Sequence, residues 1–287
     1  MATRSTTAPD TAPATASNAA RPAVRLGFGA SVVLPVASLW WREVVRFYRQ
    51  PGRVVGVILS PVVFWLVIGS GFGNSFRSAA GGAEHYLGYF YPGALILVVL
   101  FTSIFAMMSV IEDRREGFLL SVLVAPVDRS VIVLSKVLSG TTLSAVQGMI
   151  FLAFAPAAGI RLGWEQLALV ALIVFLVSFS LTALGFIVAW RLDSSQAFHA
   201  IVNLFLIPMW LLSGALFPMS GASGWIRVLM RANPLTYGVD ALRAALFPGT
   251  LGETSSAGAL AILAAFSALM FAIAFWMASR RSTQPAA

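Results

Sequence analysis

Cysteine is absent from the 287 residues, which removes disulfides, thiolate nucleophiles, iron–sulfur clusters and Cys-ligated zinc together. Lysine occurs once, at Lys136, with no glycine loop before it. The chain therefore has no Gly-x-x-x-x-Gly-Lys-Ser/Thr element with which to cradle a nucleotide phosphate. Neither His-Glu-x-x-His nor Gly-x-Ser-x-Gly occurs, so a zinc peptidase or serine hydrolase has no evident site. Charge is scarce as well, at 10% of residues against about 25% in an average soluble protein. What is abundant is apolar: 59% of the chain, with a mean hydropathy of +0.86. That composition places the chain among all-α polytopic membrane proteins. The net charge of +8 does not point to nucleic acid, because the basic residues flank apolar runs and do not gather on a soluble domain.

A membrane core of roughly 30 Å takes about 20 apolar residues per crossing, and six runs qualify: Val54–Phe72, Phe90–Ile111, Val137–Ala158, Leu167–Trp190, Ala197–Phe217 and Ala259–Ser279. An even number puts both termini on one side. With that side taken as cytoplasmic, fourteen of the nineteen basic residues lie inside and five, Arg77, Arg161, Arg227, Arg231 and Arg243, outside. This positive-inside bias sets the orientation in the cell membrane. The predicted cores contain no Asp, Glu, Lys or Arg, which disfavours an ion-coupled transporter, a machine that usually needs intramembrane ionisable groups.

Residues 1–30, mostly Ala, Thr, Pro and Ser, read as a disordered cytoplasmic tail, as does the short tail 282–287. Arg21 and Arg25 before Leu26–Leu39 resemble a signal peptide, but an amphipathic stretch within 31–52 favours a retained segment. Ala37, Trp40, Trp41, Val44, Val45 and Tyr48 recur at helical spacing opposite Arg42, Glu43, Arg46 and Arg49. The expectation is a helix in the headgroup plane, tryptophans toward the acyl boundary and arginines toward anionic lipid.

Seven of the eighteen residues from Glu112 to Arg129 are charged. At roughly 2.5–3.5 kcal/mol per charge at mid-bilayer, the segment 112–130 is expected to be a loop in water. Glu112, Arg115 and Glu116 would extend the second span, and Gly117 permits a bend. Phe118, Leu119, Val122 and Leu123 then form an apolar helical stripe, ended by Pro126. Such a stripe suits a helix-in-groove contact; the plainer reading is a loop lying on the membrane surface.

The connection 218–252 is too apolar for a plain loop, and two short helices joined at Asn233-Pro234 are expected to dip back toward the outer leaflet. Arg227, Arg231 and Arg243 could draw an anionic cargo there or snorkel to headgroups. Within the spans, Gly140, Ser144 and Gly148 form a small-residue stripe for close helix approach, with Gln147 beside it as an expected interhelical hydrogen bond. Pro208 should kink the fifth span. Phe101, Phe105, Met108, His199, Asn203 and Met209 offer a greasy surface for variable solutes, with lipid-facing or dimer packing as the alternative.

Three features together resemble the membrane subunits of the ABC-2 class of ATP-binding-cassette exporters, which includes drug-resistance, polysaccharide and lipid exporters. They are the interfacial helix before the first span, the box Glu112-x-x-Arg115-Glu116-Gly117…Pro126, and Asn233-Pro234-Leu235-Thr236-Tyr237-Gly238-Val239-Asp240-Ala241-Leu242-Arg243. The likeness runs from about residue 30 to the end. One position departs: the family usually has an acidic residue three after the glycine, where Leu120 stands. The resemblance implies that the box docks on a separate ATP-hydrolysing subunit present in two copies, that a second permease copy or paralogue completes the pathway, and that Asn233, Pro234, Tyr237 and Arg243 belong to an outer gate. ATP and magnesium would sit on the partner, with no cofactor and no catalytic residue on this chain. The cargo would be a hydrophobic or amphiphilic solute. The competing reading is an ion-coupled transporter or channel working without an ATPase.

Overall fold

The structure, a computed structural model, describes residues 30–71, 86–124, 129–248 and 256–279. The expected tails up to residue 29 and at 282–287, Phe72, Pro126 and residues 249–252 of the outer connection lie outside the described residues. Among the described residues all regular structure is helical: α1 (Ala30–Tyr48), α2 (Pro51–Gly71), α3 (Tyr86–Arg115), α4 (Phe118–Val124), α5 (Arg129–Leu152), α6 (Trp164–Arg191), α7 (Ser195–Trp210), α8 (Gly224–Ala232), α9 (Pro234–Leu246) and α10 (Ser256–Ser279). Six helices are long and apolar enough to cross a membrane: those within α2, α3, α5, α6, α10, and α7 with its π-helical continuation Leu211–Ala215. The six predicted spans fall on these helices.

Helix α3 is the axis of the bundle. Its apolar stretch is 83% buried, against 28% for those of α2 and α10, so the latter two leave most of their surface uncovered by the rest of the chain. Lipid removes the hydrophobic drive between helices, and close backbone approach has to supply the packing. A Cβ on Gly140 of α5 would stand 2.6 Å from Thr182 Cγ2 of α6 and 2.8 Å from Met107 Cε of α3, and one on Gly148 would stand 3.0 Å from both Val174 and Val99. The small-residue stripe thus sits at the α3–α5–α6 junction, as its spacing suggested. Gln147 is fully buried there, but its side-chain amide has no hydrogen-bond partner in the described structure, contrary to the expected interhelical bond. Aromatic contacts tie α2, α3 and α5 near one end: Trp65 packs edge-on to Tyr91 at 5.4 Å, and Tyr91 stacks on Phe151 at 5.2 Å while donating to its carbonyl at 3.0 Å.

One span boundary differs from the sequence reading. Helix α3 continues past Ile111 to Arg115, in line with the expected extension of the second span, while α5 begins at Arg129, well before Val137. Lys136, which bounded the predicted third span, is ion-paired with Asp113 and Glu43, so α5 need not stop at it. Pro208 lies inside α7, whose break comes later, at Gly214 with φ of 79°.

Candidate functional site

Glu112 to Arg115, the charged start of the segment read as a loop in water, form the last turn of α3, and their charges are met within the protein. Asp113 is 1% exposed. It accepts from Arg42 and Arg46 of α1, each at 2.9 Å, and from Lys136 of α5. Lys136 also lies 3.0 Å from Glu43 of α1. Glu112 accepts from Arg46 at 3.1 Å, and Glu116 from the same guanidinium at 3.4 Å. Burial alone would lower the pKa of Arg46, but the carboxylates of Glu112, Asp113, Glu43 and Glu116 outweigh it and hold the group above its usual value. Asp113, Lys136 and Glu43, which lie just outside the predicted cores, thus form one buried ion-paired cluster with the arginines of α1.

Two arginines of α1 expected toward anionic lipid, Arg42 and Arg46, are instead turned to the protein. The buried residues of α1 include Glu43 and Phe47, and Arg42 and Arg46 point to α3, whereas Trp41 is 59% exposed. Trp40 donates to Thr142 of α5 at 3.1 Å. A face that looks hydrophilic in the sequence is turned inward because its partners carry the opposite charge. Asp113, Glu43 and Lys136 were not among the site residues expected; the one signal available was a solitary lysine inside a helix-forming run.

On its other side the α3 terminus grips the α6–α7 junction. Arg114 donates to the Trp190 carbonyl at 2.8 Å, to the Leu192 carbonyl at 3.1 Å and to the Asp193 carboxylate at 2.7 Å, and Arg115 donates to the Asp193 carbonyl at 3.1 Å. These bonds occupy carbonyls that a helix end leaves unpaired. Gly117 then takes a φ of 74°, a left-handed conformation that side-chain-bearing residues adopt at a cost. It turns the chain into α4, which folds back on α1 and α5. Arg42 lies 3.6 Å above the Phe118 ring, Leu119 is buried, and Phe118, Leu119 and Val122 line one gap with Leu39, Ile132 and Lys136. The expected apolar stripe is thus partly used inside the molecule. Leu123 belongs to α4; Arg115, Glu116 and Ser121 are the exposed residues around the bend.

Beside this clamp a groove of about 520 Å³ opens between α2, α3 and α7. Phe101, Phe105, Met108 and His199 line it together with Glu112 and the α2 residues Gly56, Ser60 and Pro61. Four of the six expected path residues are thus brought together. Asn203 is exposed elsewhere on α7, and Met209 is engaged through its carbonyl with the outer hairpin, so neither joins them.

At the opposite end of α7, two short helices meet at Asn233-Pro234. Asn233 caps α9 by accepting from the Leu235 amide at 3.0 Å, and its side-chain amide donates to the Met209 carbonyl at 2.5 Å. Pro234 occupies the first helical position, where its missing N–H costs nothing. Tyr237 donates to the Arg231 carbonyl at 2.8 Å, closing α9 on α8. Arg243 donates to the Gly214 carbonyl at 3.0 Å, lies 4.4 Å over the Tyr89 ring and pairs with Asp240 at 3.7 Å. Arg227 donates to the Ala222 carbonyl at 3.1 Å. Of the three arginines suggested for an anionic cargo, two are committed to carbonyls, and Arg231 is exposed.

The sequence pattern of the ABC-2 type transporter family matches residues 36–247. The chain is similar to the putative transport permease ycf38 of Cyanophora paradoxa, 27% identical over 204 residues and 70% of each chain. It is similar also to the daunorubicin resistance ABC transporter permease protein DrrB1 of Streptomyces coeruleorubidus, 26% identical over 223 residues and 74% of each. A third likeness is to Nodulation protein J of Neorhizobium galegae, 23% identical over 260 residues, 88% of this chain and 96% of that one. With a matched region that takes in the clamp, the groove and the Asn233-Pro234 hairpin, and with six helices able to cross a bilayer, the chain belongs to the ABC-2 type transporter family, as a multi-pass membrane protein.

Proposed function

We propose that the chain is the membrane permease of an ATP-driven exporter that carries a hydrophobic or amphiphilic solute, such as a drug, a lipid or a lipid-linked glycan, out of the cytoplasm. ATP and magnesium are bound by two separate ATP-binding-cassette subunits, and a second permease, identical or paralogous, completes the pathway. The chain lies in the cell membrane with both termini in the cytoplasm. The α3 terminus carries this reading: four successive charged residues fix it to α1, α5 and the α6–α7 junction, and α4 follows it past Gly117, packed on α1 and α5 with Ser121 exposed. A push on α4, Arg115 or Glu116 is transmitted to the central helix and to three neighbours at once, beside the groove that Phe101, Phe105, Met108 and His199 line. The Asn233, Pro234, Tyr237 and Arg243 hairpin closes the outer end as a gate.

The absence of cysteine from the natural sequence makes the docking test direct. A single Ser121→Cys, on the exposed side of α4, is expected to react with an impermeant maleimide in inverted vesicles and to be protected when the ATP-binding subunit is bound. Equal labelling with and without that subunit would contradict docking at α4.

The buried Lys136, Asp113 and Glu43 give a second reading some footing, since an ion-coupled transporter works through buried ionisable groups. Each of them is held by a fixed partner of opposite charge, however. Solute flux driven by a proton or sodium gradient with no ATP-binding subunit present would favour that reading over the exporter.

A further inference from the structure

The junction of α3, α5 and α6 buries polar atoms that nothing within it pairs. Gly140 and Gly148 of α5 meet Met107 and Thr182 at one level and Val99 and Val174 at the other, so α3 and α6 both run opposite to α5. Between those levels lie Ser103 of α3, Ser144 and Gln147 of α5 and Ser178 of α6, all fully buried. Neighbouring hydroxyls are satisfied within their own helices: Thr102 donates to the Val98 carbonyl at 2.8 Å, Ser144 to that of Gly140 at 2.8 Å and Ser180 to that of Val177 at 2.9 Å. Both ends of the Gln147 amide and the hydroxyls of Ser103, Ser178 and Thr182 have no hydrogen-bond partner among the described residues.

Unpaired groups at that depth weaken the packing that buries them. Bound water would need room of its own, whereas at the two glycines that bracket this layer one added carbon would stand within 3.0 Å of side chains on α3 and α6. The set is complementary, however: an amide offers two donors and an acceptor, and each hydroxyl offers both. A small change of register among the three helices would let Gln147 pair with hydroxyls of α3 and α6. Glycines smooth the surfaces that would slide, and Gly185 of α6 adds to them, its Cβ position 3.1 Å from Ile104 and Met107 of α3. The α3 terminus is tied to both neighbours, to α5 through Lys136 and to the end of α6 through Arg114 and the Trp190 carbonyl, so a load on it reaches the junction. We propose that the α3–α5–α6 junction is a two-position element: the position seen in the structure leaves Gln147 unpaired, and a second, selected by a load on the α3 terminus, bonds its amide to the Ser103, Ser178 or Thr182 hydroxyls. The unpaired amide keeps the two positions close in free energy. This inference rests on the exporter reading, which supplies the load, and adds the part of the bundle that responds to it.

The test compares wild type with Gln147→Met, which keeps the side-chain length and removes the polar atoms, and with Gln147→Glu, whose carboxyl burial keeps protonated, with a donor and an acceptor as in the amide. Thermal melts of the full chain in nanodiscs, with no ATP-binding subunit, should place Gln147→Met about 2–4 °C above wild type, the reverse of what losing a made hydrogen bond gives. In complex with the ATP-binding subunit, its ATPase turnover should nonetheless fall by about tenfold, and Gln147→Glu should recover most of it. Ser178→Ala should repeat the pattern on a smaller scale. A lower melting temperature for Gln147→Met would show the amide already paired, to water or to protein. Turnover unchanged in Gln147→Met, or not recovered in Gln147→Glu, would show that no second position is used; each of these results overturns the proposal. Failure of the wild-type chain to form a complex would sink the exporter reading and, with it, the load that selects the second position, whereas the melts test the unpaired amide on the chain alone.

Discussion

The Lys136 ammonium on α5 donates to the Asp113 carboxylate on α3, with the two side chains 7% and 1% exposed. Two charges at that depth are tolerated only because each has a fixed opposite partner and further hydrogen bonds, from Arg42 and Arg46 to Asp113 and from Lys136 to Ser109 at 3.0 Å. The pair sets the register of α5 on α3 and gives α1 a reason to turn its charged face inward.

Removing one partner should be worse than removing both. Lys136→Met or Asp113→Leu alone leaves an uncompensated buried charge and is expected to cost about 3–5 kcal/mol. The double variant should recover part of that loss. Thermal melts in detergent measure the coupling; strictly additive losses would mean the two groups do not depend on each other.

Gly140 has no room for a side chain. Gly140→Val places atoms against Thr182 and Met107, which a Cβ alone would already approach to 2.6 and 2.8 Å, and is expected to destabilise by about 1–3 kcal/mol through overpacking. Gly56→Val, on the lipid-facing and groove-facing helix α2, should change the melting temperature little. Equal melting of the two variants would contradict the close α3–α5–α6 junction.

The outer hairpin should depend on its cap. Asn233→Ala loses the acceptor for the Leu235 amide and the donor to the Met209 carbonyl, at a cost of about 1 kcal/mol for the cap itself. Hydrogen exchange should rise at the start of α9 and around 209–215 while the α1–α3 clamp stays protected. A uniform rise across the chain would show that the hairpin is not a separate unit.

Gly214, at φ of 79°, marks where α7 breaks and where Arg243 and Tyr89 both donate to one carbonyl. Gly214→Ala is expected to cost about 1–2 kcal/mol for the left-handed backbone, and Arg243→Met to loosen the same site. Melting temperatures of the two variants check this; an unstrained Gly214→Ala would rule out the observed backbone.

The parts legible in the sequence were those that depend on local pattern. Six long uncharged runs marked the spans, Gly140, Ser144 and Gly148 marked the tight junction, and Asn233-Pro234 marked the joint between two short helices. The clamp was not legible because it depends on pairing across the chain: Asp113 meets Arg42 from 71 residues away and Lys136 from 23. Hydropathy counts such groups as water-seeking, so the pattern sends Arg42 and Arg46 toward lipid headgroups and not toward Asp113. The groove was half legible: Phe101, Phe105 and Met108 lie at helical spacing on α3, but only the packing of α7 decides that His199 joins them and Asn203 does not.

The most direct test of the central claim, that the α3 terminus couples this permease to ATP hydrolysis, is the ATPase turnover of the chain reconstituted in lipid with its ATP-binding subunit, for wild type, Glu116→Ala and Arg46→Gln. The account predicts a stable complex in all three, with turnover reduced in Glu116→Ala and in Arg46→Gln, where the Arg46 link to Glu112, Asp113 and Glu116 is broken. Undiminished turnover in both variants, or failure of the wild-type chain to form a complex with any ATP-binding subunit, would contradict it.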